Sequence, residues 1–325
     1  MFELKPERFV KLTQNKKENK PIIHSFTLFS AILSNFKKIF GDEFENYKKY
    51  FEELTLTSAF PKIKVNNKEI FFLPYPKGRK MFDLSENEKN DRTLMKNLKK
   101  LTFIEFEILK EWSEKYNKEK ESMPLDRDKI KGIFYSDEDV RNFFTRTTEL
   151  KTMVYRVPIK EQNKTKTNEL FERDVFIFNE NFSFYFLIKV PKEIKEEIKK
   201  TILSIEGIGG KRSSGYGQFE INIINNKVIT NFLNKEVKGN EGMLINSILL
   251  NHEINPISYT LVEFGGYFDI SNKNPLQPKP QLFYLEEGSF IENKNLDNIK
   301  NKEERFKENK LFIYKKPWVI WWKWS

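Results

Sequence analysis

The chain has no cysteine, and only His24 and His252 among its 325 residues are histidine. Without cysteine there are no disulfides, no thiolate nucleophiles and almost no route to a structural zinc site, and the composition fits a reducing, cytoplasmic setting. No His/Cys/Asp grouping has the spacing of a ligand set, and no polymerase or nuclease carboxylate motif occurs, so neither a metal nor a cofactor is expected. Apolar runs are short as well. None reaches the roughly eighteen residues of a spanning helix, so no membrane segment is expected. The start, M-F-E-L-K-P-E-R, lacks the apolar core of a secretion signal.

What remains is a globular composition, 38% hydrophobic and 32% charged, in a length that suggests about two domains. Lysine and arginine exceed the acids by 57 to 47, a net charge of +10 that favours a polyanionic partner without coating the surface in basic charge. Aromatic residues make up 15%, enough to serve a core, an interface or base stacking.

Glycine is unevenly spread. Five of the 13 fall in G-I-G-G-K-R-S-S-G-Y-G: Gly207, Gly209, Gly210, Gly215 and Gly217, interleaved with Lys211, Arg212, Ser213, Ser214 and Tyr216. Bare amides in sequence make an anion-binding concavity, and the adjacent cations suit a phosphate. Spacing excludes the dinucleotide fingerprint, whose sixth position here is Arg212, and the P-loop, because Ile205 stands where its first glycine belongs and Arg212 follows Lys211. The order is also reversed. Ile194, Ile198 and Ile202 mark a helix before the loop, and Gln218–Ile223 alternates as a strand after it. A phosphate-gripping loop or a costly helix-to-strand turn are the two readings.

Taken in order, the chain predicts a first strand within residues 2–12, then a helix through Leu28, Ile32, Leu33 and Phe36, capped by Ser25 or Thr27. His24 precedes that helix start, where amides favour an anion; a locally packed histidine is the alternative. A second helix follows at Tyr47–Leu54 and a strand at Glu69–Leu73. Pro74–Lys80 reads as a basic turn, solvated or touching RNA. Residues 83–131 read as a charged insertion with an apolar island at Leu101–Trp112. Asp137–Asp139 suggest a helix cap, Met153–Pro158 and Asp174–Phe178 a hairpin, and Asn181–Val190 a strand. The sum is the βαββαβ order of a ferredoxin-like, RRM-type α+β domain over 1–225. Residues 226–325 form a second unit, with strands at Tyr259–Phe264, Gln281–Leu285 and Gly288–Glu292 and a Lys/Glu/Asn-rich loop reaching Lys310. The terminal L-F-I-Y-K-K-P-W-V-I-W-W-K-W-S holds four of the five tryptophans, as a last core strand or a docking surface.

Three stretches together, I-I-H-S-F-T-L-F-S-A-I (22–32), G-I-G-G-K-R-S-S-G-Y-G-Q-F (207–219) and F-G-G-Y-F-D-I with L-E-E-G-S-F (264–270 and 285–290), resemble the RAMP proteins of CRISPR systems. Within them the likeness is to the fourth subunit of the type III-A Csm interference complex, and it runs through S-A-F-P (58–61) and F-L-P (72–74) in the same order. Phe26 stands where that family shows an acidic residue. The resemblance implies two ferredoxin-like domains and a non-catalytic subunit that grips the 5′ repeat-derived handle of crRNA. It further implies that the subunit joins the large polymerase-like Csm subunit to the backbone Csm subunit. On this sequence the glycine loop would lie along the RNA, with His24, Ser25 and Thr27 close by and Arg146 a further contact. Amides and cations on backbone, and aromatics on splayed bases, are the usual means of holding single-stranded RNA. The competing reading is a metal-independent RAMP endoribonuclease with His24 as general base. His252 is assigned no role.

Overall fold

The computed structural model describes residues 1–7, 10, 20–78, 81–119, 122–153, 169–209, 215–235, 239–265, 280–294, 296–306 and 309–322. Its main sheet has eight strands, in the order Phe219–Ile223, Phe2–Pro6, Phe182–Phe186, Phe60–Val65, Lys68–Pro74, Phe103–Glu105, Phe134–Tyr135 and Ile130–Lys131. Neighbours are antiparallel except Phe103–Glu105 with Phe134–Tyr135. Four of these strands alternate with two helices, Ser25–Phe40 and Lys195–Leu203, in the order strand, helix, strand, strand, helix, strand. In the sheet the last of the four lies beside the first, then the third, then the second.

Register explains the packing. Phe2 pairs with Phe186 and Ile223, Leu4 with Phe184 and Ile221, and Phe182 with Ile63, so the apolar residues of four strands share one face. On the other face Lys62 reaches Glu3 at 2.6 Å and Glu69 at 2.7 Å, and Ser183 donates to Glu3. Desolvation pulls the Lys62 ammonium down, but the two carboxylates outweigh it and hold it above its ordinary value. The Ser25–Phe40 helix buries Leu28, Phe29, Ile32, Leu33 and Phe36 at helical spacing. Phe36 then meets Phe44, Tyr47 and Phe51 edge-on, docking the following helix, Phe44–Glu53.

Four expectations change. The charged stretch 83–131 is built into the sheet: Phe103–Glu105 and Ile130–Lys131 are strands of it, and Phe103, Ile104, Leu109 and Trp112 are fully buried. Its helices Arg92–Lys100 and Phe106–Glu119 turn Leu94, Phe106, Ile108, Leu109 and Trp112 inward and leave Lys96, Lys99, Glu107, Glu111 and Glu114 exposed, while the short helix Glu86–Asn90 buries nothing. Asp137–Thr148 contains no helix. Asp137 meets Lys129 at 2.7 Å, Asp139 pairs with Arg141, and the threonine-rich Phe144–Met153 is a strand paired with Glu169–Phe178. The hairpin expected between Met153–Pro158 and Asp174–Phe178 is paired differently: Asp174–Phe178 lies against Phe144–Thr148, Met153 is opposite Glu169, and residues 154–168 lie outside the described residues. The Lys/Glu/Asn-rich stretch forms a second hairpin, Lys302–Phe306 with Asn309–Ile313, which buries Phe312 and Ile313.

Beyond residue 225 the helix Lys227–Asn234 is followed by a four-stranded sheet (Pro256–Ser258, Phe290–Glu292, Glu241–Leu244, Val319–Trp322) and a three-stranded one (Ile248–Leu249, Leu282–Leu285, Leu261–Phe264). After Asn234 the described residues contain no α-helix, so a second βαββαβ order is not visible among them. In the tryptophan-rich end, Val319–Trp322 pairs with Glu241–Leu244 as the edge strand of its sheet, and the buried Trp318 indole donates to the Leu233 carbonyl at 3.0 Å. One hydrophobic core runs from Phe2 through Met243, Ile245 and Tyr284 to Ile320 without a break at residue 225. Among the described residues no helix is long and apolar enough to cross a membrane.

Candidate nucleic-acid interface and the polar seam behind it

The glycine segment leaves a firmly tied helix. Ile194, Ile198 and Ile202 bury one face of the turn Lys192–Ile194 and the helix Lys195–Leu203, and Asn35 donates to the Thr201 carbonyl (2.8 Å) and to Ser204 Oγ (3.0 Å) at its end. Ile205 and Ile208 are then buried, and Gly207 with them. The Ile208 N–H donates to the Gly217 carbonyl at 2.8 Å, closing a neck. Gly217 has φ +70°, and a Cβ there would lie 2.1 Å from the Ile208 oxygen, so backbone crowding and conformation both demand glycine. Gly209 (φ +98°) is half-buried, while Gly215 (φ +81°) is exposed with open space around it. Tyr216 is buried at 3% exposure. Gly210, Lys211, Arg212, Ser213 and Ser214 lie outside the described residues.

The residues expected near the first helix sit differently. The helix begins at Ser25 with His24 in the N-cap position, its carbonyl accepting from Thr27 (2.9 Å) and Leu28 (3.1 Å). Neither Ser25 nor Thr27 is therefore the cap. His24 is 4% exposed, with Nδ1 3.1 Å from both oxygens of Glu287. Ser25 is fully buried; its N–H donates to Ser58 Oγ (2.8 Å) and its hydroxyl to the Ser247 carbonyl (2.8 Å). Ser58 in turn donates to Glu287. Thr27 alone of the three stays partly exposed. Arg146 lies half-buried on the strand Phe144–Met153, opposite Phe176.

His24 and Ser25 belong to a polar seam that joins the sheet to the residues beyond 240. Next to Glu287, Glu286 receives Lys20 Nζ at 2.7 Å, Lys77 Nζ, and the Thr260 hydroxyl at 2.6 Å. Burial raises the Glu286 carboxyl and lowers the Lys77 ammonium, but two ammonium groups face one carboxylate. The ionised state prevails, and Glu286 stays well below the usual carboxylate range. Glu287 is held low as well: burial raises it, and the facing His24 ring outweighs burial. Gly288 completes the seam. Its φ is +83°, its carbonyl accepts from Lys77 N–H at 2.9 Å, and a Cβ would meet the Tyr75 oxygen at 2.4 Å. Phe26 fills the adjoining space, with ring centroids 5.1 Å from His24, 4.6 Å from Phe264 and 4.5 Å from Tyr284.

Sequence reasoning assigned no role to Lys20, Ser58, Ser247, Glu286 or Glu287, and it read Lys77 as part of a solvated or RNA-touching turn. The signal present was L-E-E-G-S-F itself, two acids set in an apolar run before a glycine. Such acids are either exposed or paired in the interior.

Comparison with known proteins bears on the whole chain. The sequence profile of the RAMP superfamily matches residues 4–220. A curated relative from Methanocaldococcus jannaschii, described as CRISPR system Cms protein Csm4, is 30% identical over 321 residues, spanning 87% of this chain and 82% of its own. Among solved structures, a chain from the crystal structure of the Csm3-Csm4 subcomplex in the type III-A CRISPR-Cas interference complex superposes with TM-score 0.63 at 24% identity, covering 98% of each chain. A chain from the Csm1-Csm4 cassette in complex with pppApA gives 0.58 at 14% identity, covering 100% of this chain and 97% of that one. At these identities the structural likeness establishes a shared fold.

Proposed function

Because the chain belongs to the RAMP superfamily and, within it, to the family of the CRISPR subunit Csm4, we propose that it is a non-catalytic, cytoplasmic subunit of a type III-A effector complex. In this role it grips the 5′ handle of crRNA and bridges the large polymerase-like subunit to the backbone subunit in antiviral defence. The observation that carries the reading is the match to a Csm4 protein over 87% of the chain. The four strands and two helices around Phe2–Ile223 have the order of a ferredoxin-like unit, and we assign residues 1–225 to it, with the stretch 83–131 added to its sheet, and 226–325 to a second unit.

The RNA-facing element is the segment held by the Ile208–Gly217 neck. Amides of Gly207, Gly209, Gly210, Gly215 and Gly217, the cations Lys211 and Arg212, and the hydroxyls of Ser213 and Ser214 supply donors for phosphate and 2′-OH. Tyr216 supports the loop from below. Thr27 and Arg146 are the outer contacts, whereas His24 and Ser25 act from within, by setting the start of the first helix. A general base must reach the 2′-OH it deprotonates, and the inward pairing of His24 with Glu287 favours the non-catalytic reading.

The test uses labelled single-stranded RNA carrying the handle, resolved on native and denaturing gels beside the Lys211→Ala/Arg212→Ala variant. The expected result is a shifted, intact RNA. In the variant, binding weakens and the slope of log K against log salt becomes shallower by about 1.4, about 0.7 for each phosphate left without its cation. Unchanged affinity removes the loop assignment, and a cut RNA removes the non-catalytic reading.

A further inference from the structure

Within the charged stretch 83–131, one helix face is left without counter-charge. The helix Arg92–Lys100 is anchored by the buried Leu94, with Leu98 packed on the core beside it. Its charged residues are Arg92, Lys96, Lys99 and Lys100, all exposed, and it contains no acid. At about 100° per residue the four cations share a sector about 100° wide, on the side away from Leu94 and Leu98. The neighbouring helices are built differently. Lys89 meets Glu86 at 2.6 Å, Lys110 meets Glu107 at 3.5 Å and Lys115 meets Glu111 at 3.0 Å, each pair one turn apart. The acids just before Arg92 are engaged as well: Asp91 accepts from the Thr93 and Leu94 amides and pairs with Arg127 at 2.9 Å, and Glu88 accepts from Ser85. Among the described residues no carboxylate lies within ion-pair distance of the four cations. Arg92 repels Lys96, and Lys96 repels Lys99 and Lys100. The helix dipole suits the two last-turn lysines but opposes Arg92 at the first position. Such a face gains from an external anion.

No apolar side chain stands in that sector, so a protein partner would find no centre to bury and a bilayer nothing to receive. A phosphodiester strand needs neither. Arg92, Lys96 and Lys100 rise in steps of about 6 Å, close to the step between successive phosphates of an extended strand. Placement separates this face from the glycine loop. The loop leads into Phe219–Ile223, the first strand in the sheet order, and the helix leads through Leu101 and Thr102 into Phe103–Glu105, the sixth. Five strand spacings amount to about 24 Å. All five pairings are antiparallel, so the two strands run in opposite directions and are entered from opposite ends of the sheet. A strand gripped at the loop needs several further nucleotides to reach the helix, and being tethered it arrives there at high effective concentration.

We propose that Arg92, Lys96, Lys99 and Lys100 form a second RNA contact, which binds the phosphate backbone of the guide RNA where it runs on beyond its handle. The assignment rests on the handle-gripping reading and adds to it a site at the far side of the sheet. Contacts of this kind orient a strand without reading its sequence. The site therefore takes any guide, whereas the glycine loop takes the constant handle.

The experiment titrates the full-length chain with handle RNA alone and with the same RNA lengthened at its 3′ end by runs of uridine of increasing length. The variant is Arg92→Gln/Lys96→Gln/Lys99→Gln/Lys100→Gln, with melting temperature measured alongside. Wild-type affinity should rise once the extension is long enough to reach the helix, and then level off. The variant should bind the unextended handle as wild type does and melt no lower, but bind the longest RNA about tenfold more weakly, with a salt slope shallower by about 1.4 to 2, as for two or three phosphates. A charge-keeping variant, Lys96→Arg/Lys99→Arg/Lys100→Arg, should retain the gain with length. Wild-type affinity that ignores length overturns the proposal, and so does a gain that survives in the glutamine variant. An equal loss for the unextended handle overturns it too, since the cations would then act on the handle itself. Poly-glutamate that binds wild type and not the variant, with the length dependence of RNA unchanged, would assign the face to an acidic protein instead. If the wild-type chain binds no handle RNA, the handle-gripping reading fails and this assignment with it; if it binds the handle and only the length dependence is missing, the second contact alone fails.

Discussion

Glu286 holds two ammonium groups on one buried carboxylate, and both come from far away in sequence: Lys77 is 209 residues upstream and Lys20 is 266. Glu287 faces His24 across 263 residues. No local pattern announces pairs of that separation, which is why the seam was not legible while the run of glycines stood out. The loop signals itself through backbone conformation, since Gly209, Gly215 and Gly217 all have positive φ and glycine is the residue that takes it cheaply. The same contrast gives a prediction. Replacing Glu286 with glutamine keeps the shape but leaves Lys77 facing a neutral amide in the interior, which should cost on the order of 3 kcal/mol near neutral pH. Because the folded Glu286 carboxyl lies below its unfolded value, its contribution is fully present above about pH 5 and is lost as pH falls through the folded value. Urea unfolding of wild type and Glu286→Gln at a series of pH values should therefore show curves that differ most at neutral pH and converge toward acid. A gap of constant size across that range would mean that Glu286 is not the stabilising charge.

At the scale of elements, periodicity was readable where it was strong and amphipathic. Leu28, Ile32, Leu33 and Phe36 marked the first helix, and Ile194, Ile198 and Ile202 the helix before the loop. It failed where composition masks partnership. The stretch 83–131 is dominated by charge, yet Phe103–Glu105 finds Lys68–Pro74 on one side and Phe134–Tyr135 on the other. Strand pairing is a non-local fact, so the apolar island around Leu101–Trp112 was visible and its place in the sheet was not. The hairpin Lys302–Phe306 with Asn309–Ile313 was hidden in the same way, its Lys/Glu/Asn content reading as a solvated loop. Trp112 measures what the stretch is worth to the fold. Its side chain is fully buried in the Phe106–Glu119 helix. Trp112→Ala should lower unfolding free energy by about 3–5 kcal/mol, from reduced burial and the cavity left behind. A peripheral insertion would give a loss near zero in the same denaturation experiment.

The whole molecule poses a question about division. The sequence suggested a boundary near residue 225, and the order of the four strands and two helices ends there. The physical connections run straight across it. Ser58 N–H donates to the Ile245 carbonyl at 3.1 Å, and the Tyr314 hydroxyl accepts from Leu56 N–H and donates to its carbonyl. The Asn301 amide donates to the Phe51 and Leu54 carbonyls, at 2.8 and 2.7 Å, and Lys316 pairs with Glu53. Phe29 lies against Phe312 and Tyr314, and one hydrophobic core includes residues from both sides. Cutting at 225 would expose that core on each piece and leave the buried carbonyls of Phe51 and Leu54 and the carboxylates of Glu286 and Glu287 without their partners. Each unmet buried polar group costs about 1–3 kcal/mol, against a total stability of about 5–15 kcal/mol for a folded domain. The two units should therefore fold only together. Expressed alone, residues 1–225 and 226–325 should each lack a cooperative thermal transition, and co-expression should restore one. A sharp melt from the isolated 1–225 fragment would show that the seam is an interface between independent domains, and that the angle between them is free to change when RNA or a partner subunit binds.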